Sequence, residues 1–586
     1  MELSVNVIET TLLPSAAFVQ KPPSLFKETA DDWQTSRLNP KNRVERLESP
    51  ASVGWRIDGC SQHGIAFNAV PLCFGPITPN GVDVFVTDQC EDRPAVRDAL
   101  DFGSAFHMSS GRVTQLGIAG QLALALTDWA ERLQDFRSLY ENLPWGSAIQ
   151  VSDTTLDHRQ WMIDVVPNYA LERRMLPVAT LERLWSAADT KLCLPPSIDL
   201  RSLVLISQPH ASISIVSGAP FATSPQVFKS IASSSPPQML YHELKNLLSL
   251  PAHPNVTSRP LYLVTKKVRF GGKVGVCGFI QPYHASGSLQ MALPSKSRSG
   301  KLTWPMQLRW AGQITSALIH IYQSDMRFYP DLRADNVLLK SSSTDPNEEE
   351  ALLIDLEQRG NHFPWTAPNV NYLEYLLFLS DSDAVPEDIR AYYLALLIKH
   401  LPSSSSLGKQ RLYNSLTCSF NHAWLSLSPQ EAEAAMVYSL GKLLWCIFEG
   451  VGSLSPFTVR HSTVFSDNQG IEFPEFKKTP LGGPRTLIRR CTAGAPEWEG
   501  RHFGGLVRKG DIAYPRDWDE TLRGRATADD AVMAAQQWWK EELKRMDDYL
   551  STKDEPGIFE PAMERPCLTE VLRQLESFET QNPETD

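Results

Sequence analysis

Three oxygen-bearing side chains in the middle of the chain have types and a spacing that could support chemistry. Asp331 and Asn336 delimit the segment Asp331-Leu-Arg-Ala-Asp-Asn336, and Asp355 follows a short apolar run downstream. Carboxylate and amide oxygens are ligands that Mg²⁺ accepts, and a carboxylate can also orient an attacking hydroxyl group. These residue types indicate phosphoryl transfer, although a chance Asp- and Asn-rich turn between two strands is the alternative.

This layout resembles the catalytic centre of protein kinases, in which an H-R-D-L-x-x-x-N loop precedes a D-F-G segment. The resemblance implies that Asp331 orients the acceptor hydroxyl, while Asn336 and Asp355 hold Mg²⁺. Arg333 stands where Ser/Thr kinases carry lysine and belongs to the same catalytic group. Asp355 continues as Asp-Leu-Glu-Gln-Arg-Gly. The chain is thus most similar to a divergent kinase-like group of filamentous fungi with Y-x-D-L-R-x-D-N and D-[FL]-E-Q-R-G signatures.

Two segments upstream extend the resemblance to a lysine and a glutamate. Val227-Phe-Lys-Ser-Ile is similar to the V-A-I-K strand of kinases, which implies that Lys229 contacts the α- and β-phosphates of ATP. The segment 239–250 carries leucines at helical spacing and resembles the C helix, with Glu243 placed to pair with Lys229. The alternatives are an exposed strand lysine and a solvated helix acid.

The segment 276–283 resembles the strand that leads into the kinase hinge, and Gly287-Ser-Leu matches the G-S-L that follows it. The resemblance implies that hinge backbone groups bind adenine, with Gln281 near the gatekeeper position and Tyr283 among the nucleotide-binding residues. ATP and Mg²⁺ are therefore the implied cofactors. Residues 436–450 similarly resemble the opening of the kinase F helix.

The predicted fold class is α+β, with a bilobal kinase-like fold preceded by an accessory module. We expect a poorly ordered tail over residues 1–50 and a small α+β accessory module over 51–193. A β-rich small lobe over 198–290 and a helical large lobe over 291–578 would follow. The large lobe would contain an insertion at about 495–560.

Two helices are predicted outside the kinase-like motifs. Apolar residues at helical spacing predict one long helix from Gly111 to Tyr140 in the accessory module. A second apolar stripe predicts a helix over 527–550 in the insertion, which buries against the large lobe or binds a partner. The accessory module is the other candidate for partner binding.

Several departures from the kinase pattern leave other functions open. The segment Ser207–Ser212 contains no glycine, where kinases carry G-x-G-x-x-G over the phosphates, and Met436 replaces the F-helix aspartate. These losses favour a pseudokinase that acts as a scaffold or allosteric partner. The short connection from Asp355 to Pro368 favours a small-molecule kinase instead. Ser/Thr-type protein phosphorylation is the first expectation, because the lysine, both aspartates and the asparagine are retained.

Bulk properties exclude some classes of protein. The 586 residues include 56 basic and 67 acidic side chains, a net charge of −11, so there is no basic excess to bind nucleic acid. The nine cysteines form no C-x-x-C pair, and no apolar run reaches the ~20 residues of a membrane helix. We therefore expect a cytoplasmic or nuclear protein with no membrane or nucleic-acid partner.

Overall fold

The structure is a computed structural model of the chain. It describes residues 54–61, 66–86, 106–109, 112–115, 118–155, 157–185, 192–221, 224–233, 235–269, 271–341, 348–358, 364–381, 386–400, 420–454, 471–499, 506–509, 512–515, 541, 543–551 and 564–579. The predicted tail, residues 1–50, lies outside this part of the chain.

In residues 54–185, here called the N-terminal module, the described part of the chain forms a five-stranded sheet, a separate hairpin and four α-helices. In chain order the elements are β1 (Trp55–Ser61), β2 (Ala66–Pro71), β3 (Asp83–Val86), β4 (Phe106–Ser109), β5 (Arg112–Gln115), α1 (Ile118–Arg132), α2 (Phe136–Glu141), β6 (Ala148–Ser152), β7 (Met162–Val166), α3 (Ala170–Arg174) and α4 (Val178–Trp185). The sheet order is β1-β2-β3-β6-β7, in which only β3 and β6 run parallel. Apolar residues of α1, such as Leu122 and Leu126, are buried with the inward side chains of these strands.

The prediction of one helix from Gly111 to Tyr140 is wrong. Residues 112–115 form a strand paired with β4, and the helical part is divided between α1 and α2. The second helix begins after Asp135, whose side chain accepts the backbone N–H of Ser138 and caps the N-terminus of α2. The helical spacing of apolar residues continues from α1 into α2 because both helices bury one face in the same core.

A six-stranded sheet follows, with one helix inserted between its strands in the sequence. Its elements are β8 (Ser197–Asp199), β9 (Leu203–His210), β10 (Ile213–Gly218), β11 (Gln226–Ser230), α5 (Pro237–Ser249), β12 (Tyr262–Lys267) and β13 (Val274–Pro282). The order is β8-β12-β13-β11-β10-β9, and all pairs are antiparallel except β8 with β12. The leucine stripe of α5 is buried as its spacing predicted.

The described residues from 289 onward are mostly helical. Its elements are α6 (Leu289–Arg298), α7 (Trp304–Tyr322), β14 (Val337–Ser341), β15 (Glu349–Leu353), α8 (Pro368–Asp381), α9 (Glu387–His400), α10 (Phe420–Ser426), α11 (Pro429–Glu449), α12 (Gly483–Cys491), β16 (Leu506–Lys509), β17 (Ile512–Pro515) and α13 (Leu568–Glu579). Almost every residue of α11 from Ala435 onward is buried, so this helix runs through the centre of the region. Ser428 and Glu431 begin it with a reciprocal capping box.

The predicted insertion helix is described only at its C-terminal end. Residues 543–551 are helical, and Met546 and Leu550 are buried in the same core as α8 and α11. The apolar stripe is therefore core at these two positions, and the rest of 527–540 lies outside the described residues. Taken together, the described chain is a mixed α+β protein, as predicted. Among its helices, none combines the length and apolarity that crossing a membrane requires.

The N-terminal module packs directly on the six-stranded sheet. Trp145 is buried in the core of that sheet, and its indole N–H donates to Ile231 O at 2.7 Å. Glu172 on α3 is fully buried and accepts bonds from the backbone N–H of Trp145, the backbone N–H of Arg269 and the ammonium of Lys266. These contacts join the two regions through a fully buried carboxylate and its largely buried partners.

Replacing Glu172 with alanine should lower the free energy of unfolding by about 3–5 kcal/mol, because Lys266 would be left buried without its counter-charge. Burial works to raise the pKa of Glu172, but the bonds from Lys266, Arg269 and Trp145 hold that pKa below its usual value. Its contribution to stability is therefore present above the usual glutamate pKa and is lost as the pH falls through the lowered pKa. Urea unfolding near neutral and acid pH tests both points.

The exposed Glu141, which pairs with Arg137 at the surface, provides the matched control. Glu141→Ala should cost less than about 1 kcal/mol. An equal loss of stability in both variants would contradict a structural role for the buried carboxylate.

Candidate active site

The predicted catalytic loop lies between α7 and β14, and its side chains bond to one another. Both carboxylate oxygens of Asp331 accept bonds from the Arg333 guanidinium, at 2.8 and 3.1 Å. The Asn336 amide nitrogen donates to the backbone oxygen of Asp331 at 2.8 Å and to its carboxylate at 2.9 Å. Burial raises the pKa of Asp331, while the charge of Arg333 opposes that rise. The loop therefore holds a nearly buried carboxylate in one orientation.

The predicted metal ligands Asn336 and Asp355 lie on neighbouring strand ends. Ile354 donates its backbone N–H to Asn336 O at 3.0 Å, directly before Asp355. The Asn336 amide nitrogen is occupied by Asp331, which leaves the amide oxygen for a cation. Asp355 has a φ of 62°, a left-handed conformation that is uncommon for non-glycine residues and is found often at functional sites. The oxygen donors at this point suit Mg²⁺.

Lys229 of β11 joins the sheet to this site. Its ammonium contacts the Glu243 carboxylate of α5 at 2.7 Å and that of Asp355 at 2.6 Å. Burial would lower the pKa of Lys229, but Asp355, Glu243 and Glu357 together raise it, so the lysine stays protonated. Burial raises the pKa of Glu243 in turn, against the charge of Lys229. Lys229 and Glu243 are thus paired as predicted, and neither is an exposed surface residue.

The site carries more negative than positive charge. Carboxylate oxygens of Glu243, Asp355 and Glu357 lie within 4.8 Å of one another, with Lys229 between two of them. Glu357 stands where the kinase pattern has glycine, and the sequence alone did not single it out. Three carboxylates beside one ammonium favour a further cation, which agrees with the donor set at Asn336 and Asp355.

At two positions where the chain departs from the kinase pattern, the residue present makes a contact that supports the site. Position 436, which carries aspartate in that pattern, is a methionine whose sulfur accepts the backbone N–H of Tyr329 at 3.2 Å. Tyr329, in place of the histidine, donates its hydroxyl to Ile354 O at 2.5 Å. Tyr329 therefore ties the loop of Asp331 to the strand end that carries Asp355, and it is fully buried in doing so.

Gln358 is a buried link that sequence reasoning missed. Its amide nitrogen donates to Met326 O at 2.9 Å and Phe328 O at 3.0 Å. Its amide oxygen lies 3.0 Å from the Nε2 of His242, and Asn246 donates to Leu356 O at 2.8 Å. The segment after Asp355 is therefore tied both to helix α5 and to the chain that leads into the loop of Asp331.

Further along, the residues around Pro364 and Thr366 are anchored on α11. Lys442, fully buried, donates to Pro364 O at 2.5 Å and pairs with Glu497 at 2.7 Å. Arg565, just before α13, donates to Ala493 O and Ala434 O. The buried pair of Lys442 and Glu497 thus anchors this segment.

The predicted adenine-binding residues lie at the end of β13. Gln281 uses its amide nitrogen to bond Thr257 Oγ1 at 3.0 Å and Ser258 O at 3.1 Å, so this donor is not directed to a ligand. Tyr283, just beyond the strand, is exposed. Gln281 is opposite Val227 on β11, two residues before Lys229, and so projects from the same sheet face as Lys229.

The predicted loop Ser207–Ser212 is mostly strand. β9 continues to His210, and only Ala211 and Ser212 form the turn into β10. The N-terminal module holds this hairpin: the Asp58 carboxylate accepts the backbone N–H of Gln208 at 2.7 Å. Gly59 is required there, because a side chain at that position would overlap the backbone oxygen of Pro209.

Comparison with known proteins adds no assignment, because no protein-family model and no curated protein matches the chain.

Proposed function

We propose that this protein is an ATP- and Mg²⁺-dependent phosphotransferase with a protein-kinase-like fold, acting on serine or threonine hydroxyls of a protein substrate. One observation carries the proposal. Lys229 of β11, Glu243 of α5 and Asp355 after β15 lie on three separate elements and meet in one charged cluster. Asn336 is bonded both to Asp331 and to the chain beside Asp355. Chance side chains of a turn would not converge in this way.

The arrangement of elements supports a bilobal kinase-like fold. A sheet that carries one helix between its third and fourth long strands precedes a mainly helical region, and the site residues come from both. The long buried helix α11 supports the catalytic loop through Met436, at the place expected for the F helix. A β-rich small lobe followed by a helical large lobe is the organisation that the sequence resemblance implies.

Each residue has a distinct task in this proposal. Lys229, oriented by Glu243, would bind phosphate oxygens of ATP, and Asn336 and Asp355 would hold Mg²⁺. The ion, when bound, neutralises charge on the phosphates. Asp331 would orient the acceptor hydroxyl: its Oδ1 has one protein donor, Arg333, and retains a lone pair for a second. Arg333 fixes that carboxylate against rotation.

A small-molecule kinase is the second candidate, favoured by the short connection between Asp355 and α8, which begins at Pro368. A short segment offers little surface on which a peptide could dock. A pseudokinase would not need Lys229, Asp331, Asn336 and Asp355 together, so retention of all four favours an enzyme.

Activity should not depend on phosphorylation of the segment after Asp355. Pro330 precedes Asp331, where switchable kinases carry an arginine that binds a phosphorylated loop residue, and proline has neither charge nor donor. Thr366 is only 2% exposed, so a modifying enzyme would not reach its hydroxyl. Phosphatase treatment should leave transfer unchanged. A large loss of activity that Thr366→Glu restores would contradict this expectation.

Nucleotide titration and an acceptor screen test the proposal together. Calorimetry should show ATP binding that strengthens with Mg²⁺, and labelled γ-phosphate should then move to protein acceptors rather than to small hydroxyl compounds. Transfer only to small compounds would select the second candidate. If ATP bound neither with nor without Mg²⁺, both the protein-kinase and the small-molecule-kinase assignments would be overturned.

A further inference from the structure

His210 lies at the tip of the β9–β10 hairpin on the face of the sheet that carries the site. It is paired with Ile213 on β10, and Ile213 is paired with Lys229 on β11. Directly paired residues of neighbouring strands project from the same face of a sheet. The imidazole therefore projects from the face of the Lys229 ammonium, two strands away, or roughly 10 Å at the usual strand spacing.

Irregular pairing places His210, rather than another residue, at this position. The register between β9 and β10 shifts twice, between Ile213 and Ile215 and between Ile215 and Val216, and each shift leaves an additional residue on β9. With regular pairing the residue opposite Ile213 would be Gln208. Bulges of this kind re-aim side chains and occur beside active sites.

The N-terminal module stabilises this irregular strand. The Asp58 carboxylate accepts the Gln208 N–H at 2.7 Å, and the Arg56 guanidinium donates to Ile206 O at 2.6 Å. Arg56 is in turn paired with Asp58. The two backbone groups lie at the two register shifts, so β1 of the module holds the conformation that directs His210 to the site.

The imidazole offers a donor on this face of the sheet. Its Nδ1 accepts the Ser212 backbone N–H at 3.3 Å and lies 3.0 Å from Ser212 Oγ. With Nδ1 as acceptor, Nε2 carries the proton, and no described residue accepts a bond from it. His210 is exposed at the hairpin tip. Partial burial and the charge of Lys229 lower the pKa of its imidazole, while the charge of Asp355 raises it.

We propose that the β9–β10 hairpin is a phosphate-binding element, in which His210 donates from Nε2 to the terminal phosphates of a nucleoside triphosphate held by Lys229. The inference rests on the proposed function and names the residue that replaces glycine backbone groups above the phosphates. A side-chain donor of this kind needs no flexible glycine loop, which agrees with the tight two-residue turn at Ala211 and Ser212.

Calorimetric titration of the full chain with ATP, ADP and adenosine, each with Mg²⁺, tests this role. His210→Ala should weaken ATP binding about ten-fold, the effect of losing one charge-assisted hydrogen bond, and leave adenosine binding unchanged. His210→Lys should keep most of the ATP affinity. Asp58→Ala should lose part of the same ATP-specific affinity, because the bulge would lose its anchor.

His158→Ala is the matched control, because this histidine lies in the N-terminal module and pairs with Asp128. It should bind all three compounds like the wild type. Wild-type ATP affinity in His210→Ala, or equal losses for ATP and adenosine, would overturn the role of His210 while the proposed function stands. A wild-type protein that binds no ATP would overturn the proposed function and this inference with it.

Discussion

Replacing Asp331 with asparagine should reduce phosphoryl transfer by about 10²–10⁴-fold while the affinity for Mg·ATP stays close to that of the wild type. The carboxylate is fixed by Arg333 and Asn336, and neither Lys229 nor Asp355 contacts it. Its effect should therefore fall on the chemical step and not on ground-state binding. Single-turnover transfer and nucleotide titration on the same preparation separate the two quantities.

Asp335→Asn is the control for this substitution. Asp335 lies in the same loop and pairs with Arg333 at 2.9 Å, but it is more exposed than Asp331. It should change transfer by no more than about ten-fold, since removing a partly exposed ion pair has a small effect. If both variants lost transfer equally, the loop would be sensitive to charge in general, and Asp331 would have no special role.

Asp355→Asn and Asn336→Ala should instead abolish the part of ATP affinity that depends on Mg²⁺. These residues lie side by side, and the oxygen of Asn336 is the amide atom that its protein contacts leave available. Losing one of two protein ligands should weaken Mg·ATP binding by about ten-fold or more, whereas metal-free ATP would lose far less. Titrations with Mg²⁺ and with chelator measure the difference. Losses of equal size in both conditions would show that neither residue holds the metal.

The pairing of Lys229 with Glu243 could be predicted because the short segments around both residues resemble kinase motifs, and that resemblance implies the pair. The lysine lies in a short strand, the glutamate lies beside a leucine stripe at helical spacing, and each pattern involves only neighbouring residues. The α5 helix and the buried helix α11 were predicted for the same reason.

Contacts between distant segments could not be predicted in this way. Trp145, Glu172 and Asp58 lie in the N-terminal module, and their partners are 27 to 150 positions further along the chain. No periodic pattern signals such pairs. The helix predicted from Gly111 to Tyr140 failed for a related reason, because two short helices share one core and so show the spacing of a single longer one.

Residue type alone also gives an incomplete view of how this chain departs from the kinase motifs. Met436 and Tyr329 replace an aspartate and a histidine, and by residue type alone they count as losses. The methionine sulfur still accepts a backbone N–H, and the tyrosine hydroxyl still bonds the strand before Asp355. The position of the Asp331 loop is therefore maintained by these two contacts, which only the three-dimensional structure reveals.

The most direct measurement is the transfer of labelled γ-phosphate from ATP to protein, by wild type and Asp331→Asn, each with Mg²⁺ and with chelator. The proposed function predicts rapid transfer only by wild type with Mg²⁺. Asp331→Asn with Mg²⁺ should transfer about 10²–10⁴-fold more slowly, and neither protein should transfer phosphate with chelator. Transfer by Asp331→Asn at the wild-type rate, or wild-type transfer that chelator does not reduce, would contradict the assignment of this site as a metal-dependent phosphotransferase.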